Sequence, residues 1–380
     1  MIRFLHTADW HLGKALYGRS LLDEQRWFVL EWFVPLLERE RPDAVLLAGD
    51  IFDRQVPPVE AVTLFDRFLN RLSALRIPLI AVTGNHDSAR RLSLGSALLR
   101  RQGVVLATRP EDVWNPYTIQ TEDGPLCCYT LPYCEPAAAR EALGSGQEDG
   151  PHTMDEAFRA LLARVQPAPD VVNLLITHCF AAGGEVSASE SPAFVGGSSQ
   201  VGLDCFAPFA YTALGHLHAP QKAGTGRYAG SPLKYSFDEA RQKKGVVRVT
   251  ISNGQVETEV LPVHPPHDVR VLHGAFDILL QAAQQTPSGD YLFVELTDTH
   301  PIYQPVDRLR PYYPNLLGIS SEWLLSEGGK EDSGFRREMR KHRVSEEEIF
   351  TAFLQQVCGT QPTQQDLALF REVMKEGEEV

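Results

Sequence analysis

Apolar residues in the first two-thirds of the chain gather into short uninterrupted runs that stop abruptly at polar residues. The runs are IRFLHT (2 to 7), DAVLLAG (43 to 49), PLIAVTG (78 to 84), VVNLLIT (171 to 177) and YTALG (211 to 215). Their length and branched apolar content predict buried strands. Between the early runs, over 21 to 40 and 59 to 75, apolar residues recur at the spacing of helices packed on a sheet face. A hairpin is predicted over 246 to 263, turning at Asn253-Gly254, a pair suited to two left-handed positions. The layout is α/β, and in such sheets a site collects at the carboxyl ends of the strands.

Each run is followed at once by ligand-type residues: Asp9 and His11, then Asp50 and Asp53, then Asn85, His86 and Asp87, then His178, then His216 and His218. Taken singly, each has a plain explanation. His178 suits a core or capping position, Asp50 a turn or helix cap, and Asp87 a turn bonded to its own backbone. A turn has no use, however, for a histidine between Asn85 and Asp87. The repetition D-x-H, G-D-x-x-D, G-N-H-D, H, G-H-x-H after successive strands predicts one shared pocket. Carboxylate, amide and imidazole donors without a thiolate suit Mn²⁺, Fe²⁺ or Zn²⁺ better than Ca²⁺ or a structural zinc. They suffice for two ions sharing a carboxylate, an arrangement that serves in-line displacement at phosphorus.

Composition changes this picture little. The chain has 380 residues, 43% hydrophobic and 22% charged, which predicts one large domain with one or two smaller ones. A net charge of −13 argues against a simple phosphate-backbone binder, although carboxylates that hold metals reverse the local charge. Six cysteines without a C-x-x-C pair fit reduced thiols in a core. No apolar run reaches membrane length and the start lacks a signal-peptide layout, so a cytoplasmic location is expected.

With these motifs, the sequence resembles the calcineurin-like binuclear metallophosphoesterases. Within them HTADWHLGK (6 to 14), AGDIFD (48 to 53), GNHDS (84 to 88), ALGHLH (213 to 218) and AGSPLKYSFDEA (229 to 240) are similar to the SbcD-type DNA nucleases, bacterial counterparts of the archaeal and eukaryotic double-strand-break repair nuclease. The resemblance implies a β-sandwich flanked by helices, a small α/β capping domain and a C-terminal helical tail. It implies that Asp9, His11, Asp50 and His218 hold one Mn²⁺ and that Asp50, Asn85, His178 and His216 hold the other, with Asp50 as the bridge. His86 is then the catalytic residue that meets the leaving alkoxide, and Asp53 is placed to orient it. Archaeal and eukaryotic relatives often carry His where Asp53 stands. Arg54 is followed by Gln55 rather than by the glycine of the serine/threonine phosphatases, and the second motif lacks the metal-binding tyrosine of purple acid phosphatases.

The implied activity is a Mn²⁺-dependent nuclease, exonuclease on double strands and endonuclease on single strands and hairpins, acting with the SbcC ATPase in DNA repair, recombination and replication. The alternatives are a phosphomonoesterase or cyclic-nucleotide phosphodiesterase, and a non-catalytic scaffold for the ATPase. The expected domains are 1–265 for the nuclease, 266–325 for the DNA-binding cap, 326–343 for a flexible linker and 344–380 for a helical partner-binding segment. LPVHPPHD (261 to 268) is the expected linker between the first two, and strand, helix, strand are predicted beyond it. In the tail, Ser345 with Glu348 forms a capping box ahead of Ile349, Phe350, Phe353, Leu354 and Val357, and a second helix follows Thr363 with Leu367, Phe370, Val373 and Met374 on one side. Such helices need a partner to cover them, which the resemblance names as the SbcC coiled coil. Val62, Phe65, Phe68, Leu69, Leu72, Leu98 and Leu99, in helices over 59 to 75 and 92 to 101, suggest more apolar surface than one sheet needs and predict a homodimer. Lys222, Arg227, Lys234, Arg241, Lys243 and Lys244 form a basic segment that is either a solvated face or a contact to DNA phosphates.

Overall fold

The computed structural model describes residues 1–187, 189, 199–300, 302–321, 350–351, 362–364, 366–367 and 369–370, and every one of the five apolar runs is a strand in it. The strands fall into two sheets, as the β-sandwich implied by the resemblance requires. The first contains β1 (Ile2–Thr7), β2 (Ala44–Ala48), β3 (Leu79–Val82) and β4 (Val104–Ala107). The second contains β5 (Tyr117–Thr121), β6 (Gly124–Leu131), β7 (Val172–His178), β8 (Tyr211–Gly215), β9 (Gln221–Ala223) and β10 (Gly226–Tyr228). The hairpin of β11 (Gly245–Ser252) and β12 (Gln255–Pro262) returns to the first sheet, whose order is β12-β11-β1-β2-β3-β4, while the second runs β9-β10-β8-β7-β6-β5. Asn253 and Gly254 both have positive φ, 51° and 76°, as the predicted turn requires.

The alternation of side chains along each strand builds the layers. Phe4, Leu46, Ile80 and Val105 of the first sheet share a buried cluster with Leu126, Leu174, Ile176 and Ala213 of the second, so the two sheets pack face to face. The intervening residues Leu5, Val45, Leu47 and Leu79 turn outward onto Phe28, Phe33, Phe65 and Phe68. Leu131, Leu175 and Leu214 turn the other way onto Met154, Phe158 and Leu161. A strand covered on both faces has no polar position to spare, which is why the runs carry no alternation in sequence.

The helices match their predicted ranges with two differences. Residues 22 to 40 form one continuous run whose middle, Trp27–Phe33, widens to a π-helix ahead of Pro35, which cannot donate a main-chain hydrogen bond. The helix expected over 92 to 101 is two short helices, Ala89–Leu92 and Ser96–Arg101, parted at Gly95 with φ 71°. In Val59–Leu75, Phe65, Phe68 and Leu72 are buried in the chain's own core, and Leu69 and Leu99 pack partly against it. The apolar excess behind the predicted homodimer therefore shrinks to exposed Val62 and Leu98. The expected linker begins later than predicted, since Leu261 and Pro262 complete β12 and Val263 is buried.

The chain divides into two compact units, the larger comprising Met1–Leu272, Ala282–Val294 and Val306–Gly318, the smaller His273–Gln281, Glu295–Pro305 and Ile319–Val380. Beyond the hairpin the element order is strand Val269–Gly274, helix Phe276–Gln285, strand Tyr291–Leu296, helix Pro305–Leu309 and strand Leu316–Ser321. Within the larger unit, the Tyr291 N–H donates to Asp268 O and the Leu292 N–H to Asn315 O. Within the smaller, the Phe276 N–H donates to Asp298 Oδ2 at 2.8 Å. The proposed tail capping box at Ser345 and Glu348, with Ile349, Phe353, Leu354, Val357, Val373 and Met374, lies outside the described residues. Phe350 and Phe370 stack at 4.3 Å, and the Asp366 N–H donates to Thr363 Oγ1 while the Thr363 N–H donates to Asp366 Oδ2.

Candidate metal centre

All the ligand-type residues following the five strands reach one rim of the sandwich, the first sheet supplying Asp9 to Asn85 and the second His178 to His218. The backbone bends sharply to present them. Asp9, His11, Asp50 and His216 have positive φ, at 52°, 43°, 47° and 109°, a costly state for residues bearing a Cβ and one concentrated at functional sites. The glycines of the motifs have a separate task. A Cβ on Gly49 would collide with the His178 ring, and one on Gly84 with Asp50 Oδ1.

Three groups of donors result, one of them joining His11, Asp53 and His86 at the half-buried edge. Asp9, His11 and His218 form one buried set, and Asp9, Asp50 and His178 another. Asp50 lies between them, its Oδ2 at 3.5 Å from His11 Nε2 and 3.4 Å from His178 Nε2. His11 Nε2 and His218 Nε2 face each other at 3.1 Å. On the far side, Asn85 Oδ1 is 3.0 Å from His178 Nε2 and 3.2 Å from His216 Nδ1, and those two nitrogens are 3.3 Å apart. Lone pairs thus converge from seven side chains with few protons to share among them. Hard and borderline donors concentrated in this way fit divalent transition ions.

The charges agree with that fit. Burial pushes His216 down to about 3 and His218 down to about 4, and it also lowers His11, so these rings are neutral and able to donate lone pairs at neutral pH. Burial works against ionised Asp50, yet His178 beside it holds its carboxyl well below the usual range. His178 itself, against the pull of burial, is raised to about 9 by Asp50 and Asp9.

The supporting hydrogen bonds bear on two readings. His86 Nδ1 meets the main-chain oxygen of Asp53 at 2.8 Å, whereas the Asp53 carboxylate accepts from Lys14 Nζ at 2.8 Å and stands 3.5 Å from His11 Nδ1. The hydrogen bond to the His86 ring thus comes from the main chain of Asp53, and the Asp53 carboxylate lies within 4.8 Å of the His11 and His86 rings. The Asp87 carboxylate does bond its own loop at Gly84 N–H, but it also accepts the N–H groups of Ile51 and Phe52, so it joins two motif loops instead of closing one turn.

Sequence reasoning missed Glu239 and Tyr235. Glu239 Oε1 lies 3.3 Å from His218 Nδ1, fixing that ring so that Nε2 faces the centre, and it is paired with buried Lys244. Ser189 Oγ is 2.6 Å from the same His218 nitrogen. The Tyr235 ring packs edge-on against His11 and His218, at 5.5 and 5.7 Å, and its hydroxyl donates to Trp10 O. Both residues stand in the AGSPLKYSFDEA stretch, which is the signal that could have found them. Lys244 drops out of the proposed basic face because it is buried, and Lys234 is tied to Asp268 at 2.9 Å.

Residues 2–220 match the calcineurin-like phosphoesterase family model, and residues 265–357 match the SbcD_C model, described as the type 5 capsule protein repressor C-terminal domain. The crystal structure of TT1561 of Thermus thermophilus is similar over 68% of this chain and 98% of its own, with 13% sequence identity and a TM-score of 0.38. No helix among the described residues is long and apolar enough to cross a membrane.

Proposed function

Because the chain belongs to the calcineurin-like phosphoesterase family, whose members use a binuclear metal site, and carries an SbcD-type C-terminal region, we propose that it is a Mn²⁺-dependent DNA nuclease that hydrolyses phosphodiesters as the catalytic partner of an SbcC ATPase in DNA repair, recombination and replication. The observation that carries this reading is the position of Asp50 between His11 and His178, where one carboxylate can serve two ions.

Two divalent ions at these donors would neutralise the phosphodiester and make water a competent nucleophile. The residues of the chain then have distinct tasks. Asp9, His11, Asp50, Asn85, His178, His216 and His218 hold charge and geometry, and Glu239 keeps the His218 ring turned correctly. His86 is half-buried, and its Nδ1 is committed to the Asp53 carbonyl, a bond that places the proton on Nδ1 when the ring is neutral. Nε2 is left as the group that can take up a proton and deliver it to the departing alkoxide, whose expulsion is the hard part of diester cleavage.

In the same reading, residues 266–325 form a DNA-binding cap, 326–343 a linker and 344–380 the helices that engage the ATPase. A homodimer would use the exposed Val62 and Leu98. The reading is tested with end-labelled duplex and hairpin DNA across several divalent ions. Mn²⁺-dependent cutting supports it. Turnover of small phosphomonoesters or cyclic nucleotides with no attack on DNA would replace it by the phosphomonoesterase or cyclic-nucleotide phosphodiesterase reading.

A further inference from the structure

A cavity of about 830 Å³ opens beside the metal centre, walled by β10 of the second sheet and by β12 at the edge of the first. Its apolar side is formed by Pro220, Leu233, Val260 and Val263, and its polar side by a cluster of cations. Two of these cations are already neutralised, Lys244 by Glu239 and Lys234 by Asp268. Arg227, Arg241 and Lys243 are not: among the described residues none forms an ion pair, and the buried Arg227 Nε has no hydrogen-bond partner there. Burying a guanidinium N–H without an acceptor is unfavourable, and this one lines a space large enough for a small ligand. In a chain of net charge −13, three uncompensated cations around one apolar-walled cavity mark an anion site.

We propose that this cavity binds a nucleoside phosphate, with the phosphate on Arg227, Arg241 and Lys243 and the nucleoside against the Pro220–Val260 wall. An apolar wall facing a cation cluster matches a ligand with one flat, weakly polar end and one anionic end, where a free inorganic ion would use the cations alone. The choice of a nucleotide among phosphate esters rests on the nuclease reading, and the source is either a free nucleotide or the end of a strand. The site connects to the metal centre. Lys244 on its wall donates to His218 O and Ser231 Oγ, both at 2.8 Å, and its partner Glu239 holds the His218 ring. Lys244 and Glu239 thus stand between the cavity wall and a metal ligand.

The test is calorimetric titration of the Mn²⁺-loaded protein with dAMP and, separately, with a short 5′-phosphorylated oligonucleotide. The same titrations are run on Arg227→Gln, Lys243→Ala, their double variant and Asp50→Asn. Binding weakened about tenfold or more by the first three and retained in Asp50→Asn is the expected result. If only the oligonucleotide binds and the cavity variants weaken it, the site takes a strand end, which also supports the proposal. Binding lost in Asp50→Asn but kept in the cavity variants would place the ligand on the metals and overturn it, as would no binding of either probe. Lys243 is exposed, so Lys243→Ala keeps the test open if the Arg227 variant fails to fold. Mn²⁺-dependent hydrolysis of bis(p-nitrophenyl) phosphate, run in parallel, reports on the nuclease reading separately.

Discussion

His86 is held by the main-chain carbonyl of Asp53 at 2.8 Å, while the Asp53 carboxylate bonds Lys14 and stands 3.5 Å from His11. A carbonyl acceptor cannot be removed by substituting the side chain, so the two residues should separate cleanly in experiment. His86→Ala should lower kcat on DNA by about 10² to 10⁴, the usual worth of a positioned proton donor, with the Mn²⁺ content unchanged by elemental analysis. Asp53→Ala should instead weaken metal binding at the His11 side and leave His86 in place. If His86→Ala lost metal as well, its assignment to the leaving group would be wrong.

Asp50 lies within 3.5 Å of the nitrogens of both His11 and His178. Its replacement by Asn keeps the shape and removes the charge that offsets two cations at once. We expect Asp50→Asn to bind fewer than two equivalents of Mn²⁺ and to lose more activity than any other single ligand variant. Elemental analysis beside nuclease rates will decide, and a full complement of metal in the variant would contradict the bridging role.

Asp87 contributes differently, through three main-chain N–H groups, those of Gly84, Ile51 and Phe52, all bonded within 3.0 Å. Asp87→Ala strands these buried donors, each worth roughly 1–3 kcal/mol when left unsatisfied. The variant should therefore unfold several kcal/mol more easily in denaturant, while Asp87→Asn, which keeps one acceptor oxygen, should lose less. Equal stability of Asp87→Ala and the parent protein would show that the loops find other acceptors.

The strands and the metal motifs were legible because each depends on neighbours in sequence. A run buried on both faces must be apolar throughout, and a residue at its end is automatically at the rim. What escaped depends on pairings that sequence spacing does not encode. Nothing in PLIAVTG or VVNLLIT says that β3 and β7 belong to different sheets. Glu239 and Lys244 look like members of a charged surface segment until the fold buries them against His218. Phe65 and Phe68 look like surplus apolar surface until Trp10, Phe28 and Phe33 fill the space around them. The left-handed backbone at Asp9, His11, Asp50 and His216 carries no sequence mark at all, since aspartate and histidine are ordinary in loops.

His6 lies between the sheets, away from the metal ligands, with Nδ1 at 2.9 Å from the Tyr211 hydroxyl, and burial lowers its pKa from 6.5 to about 3. Between those two values the unfolded chain carries a proton at His6 that the folded chain does not, so acid favours unfolding. Metal-free protein should lose up to about 1.4 kcal/mol per pH unit from this residue as pH falls below 6.5. His6→Gln keeps a polar contact to Tyr211 and removes the titration, so its denaturation midpoints should depend less steeply on pH than those of the parent chain. Parallel slopes would mean that His6 titrates alike in both states.

Glu239 and Lys244 form a buried pair with two jobs, and a double substitution can tell them apart. Glu239→Gln alone leaves the Lys244 ammonium without its counter-charge, which should cost about 3–5 kcal/mol of stability. It also replaces the carboxylate that fixes His218, and losing such a support usually lowers metal affinity about 10- to 100-fold. Lys244→Met added to Glu239→Gln removes the stranded charge and should restore most of the stability. It cannot restore the carboxylate at His218 Nδ1, so Mn²⁺ affinity should stay low in the double variant. If affinity and stability return together, the pair acts on the centre only by holding the fold, and Glu239 does not orient His218 in its own right.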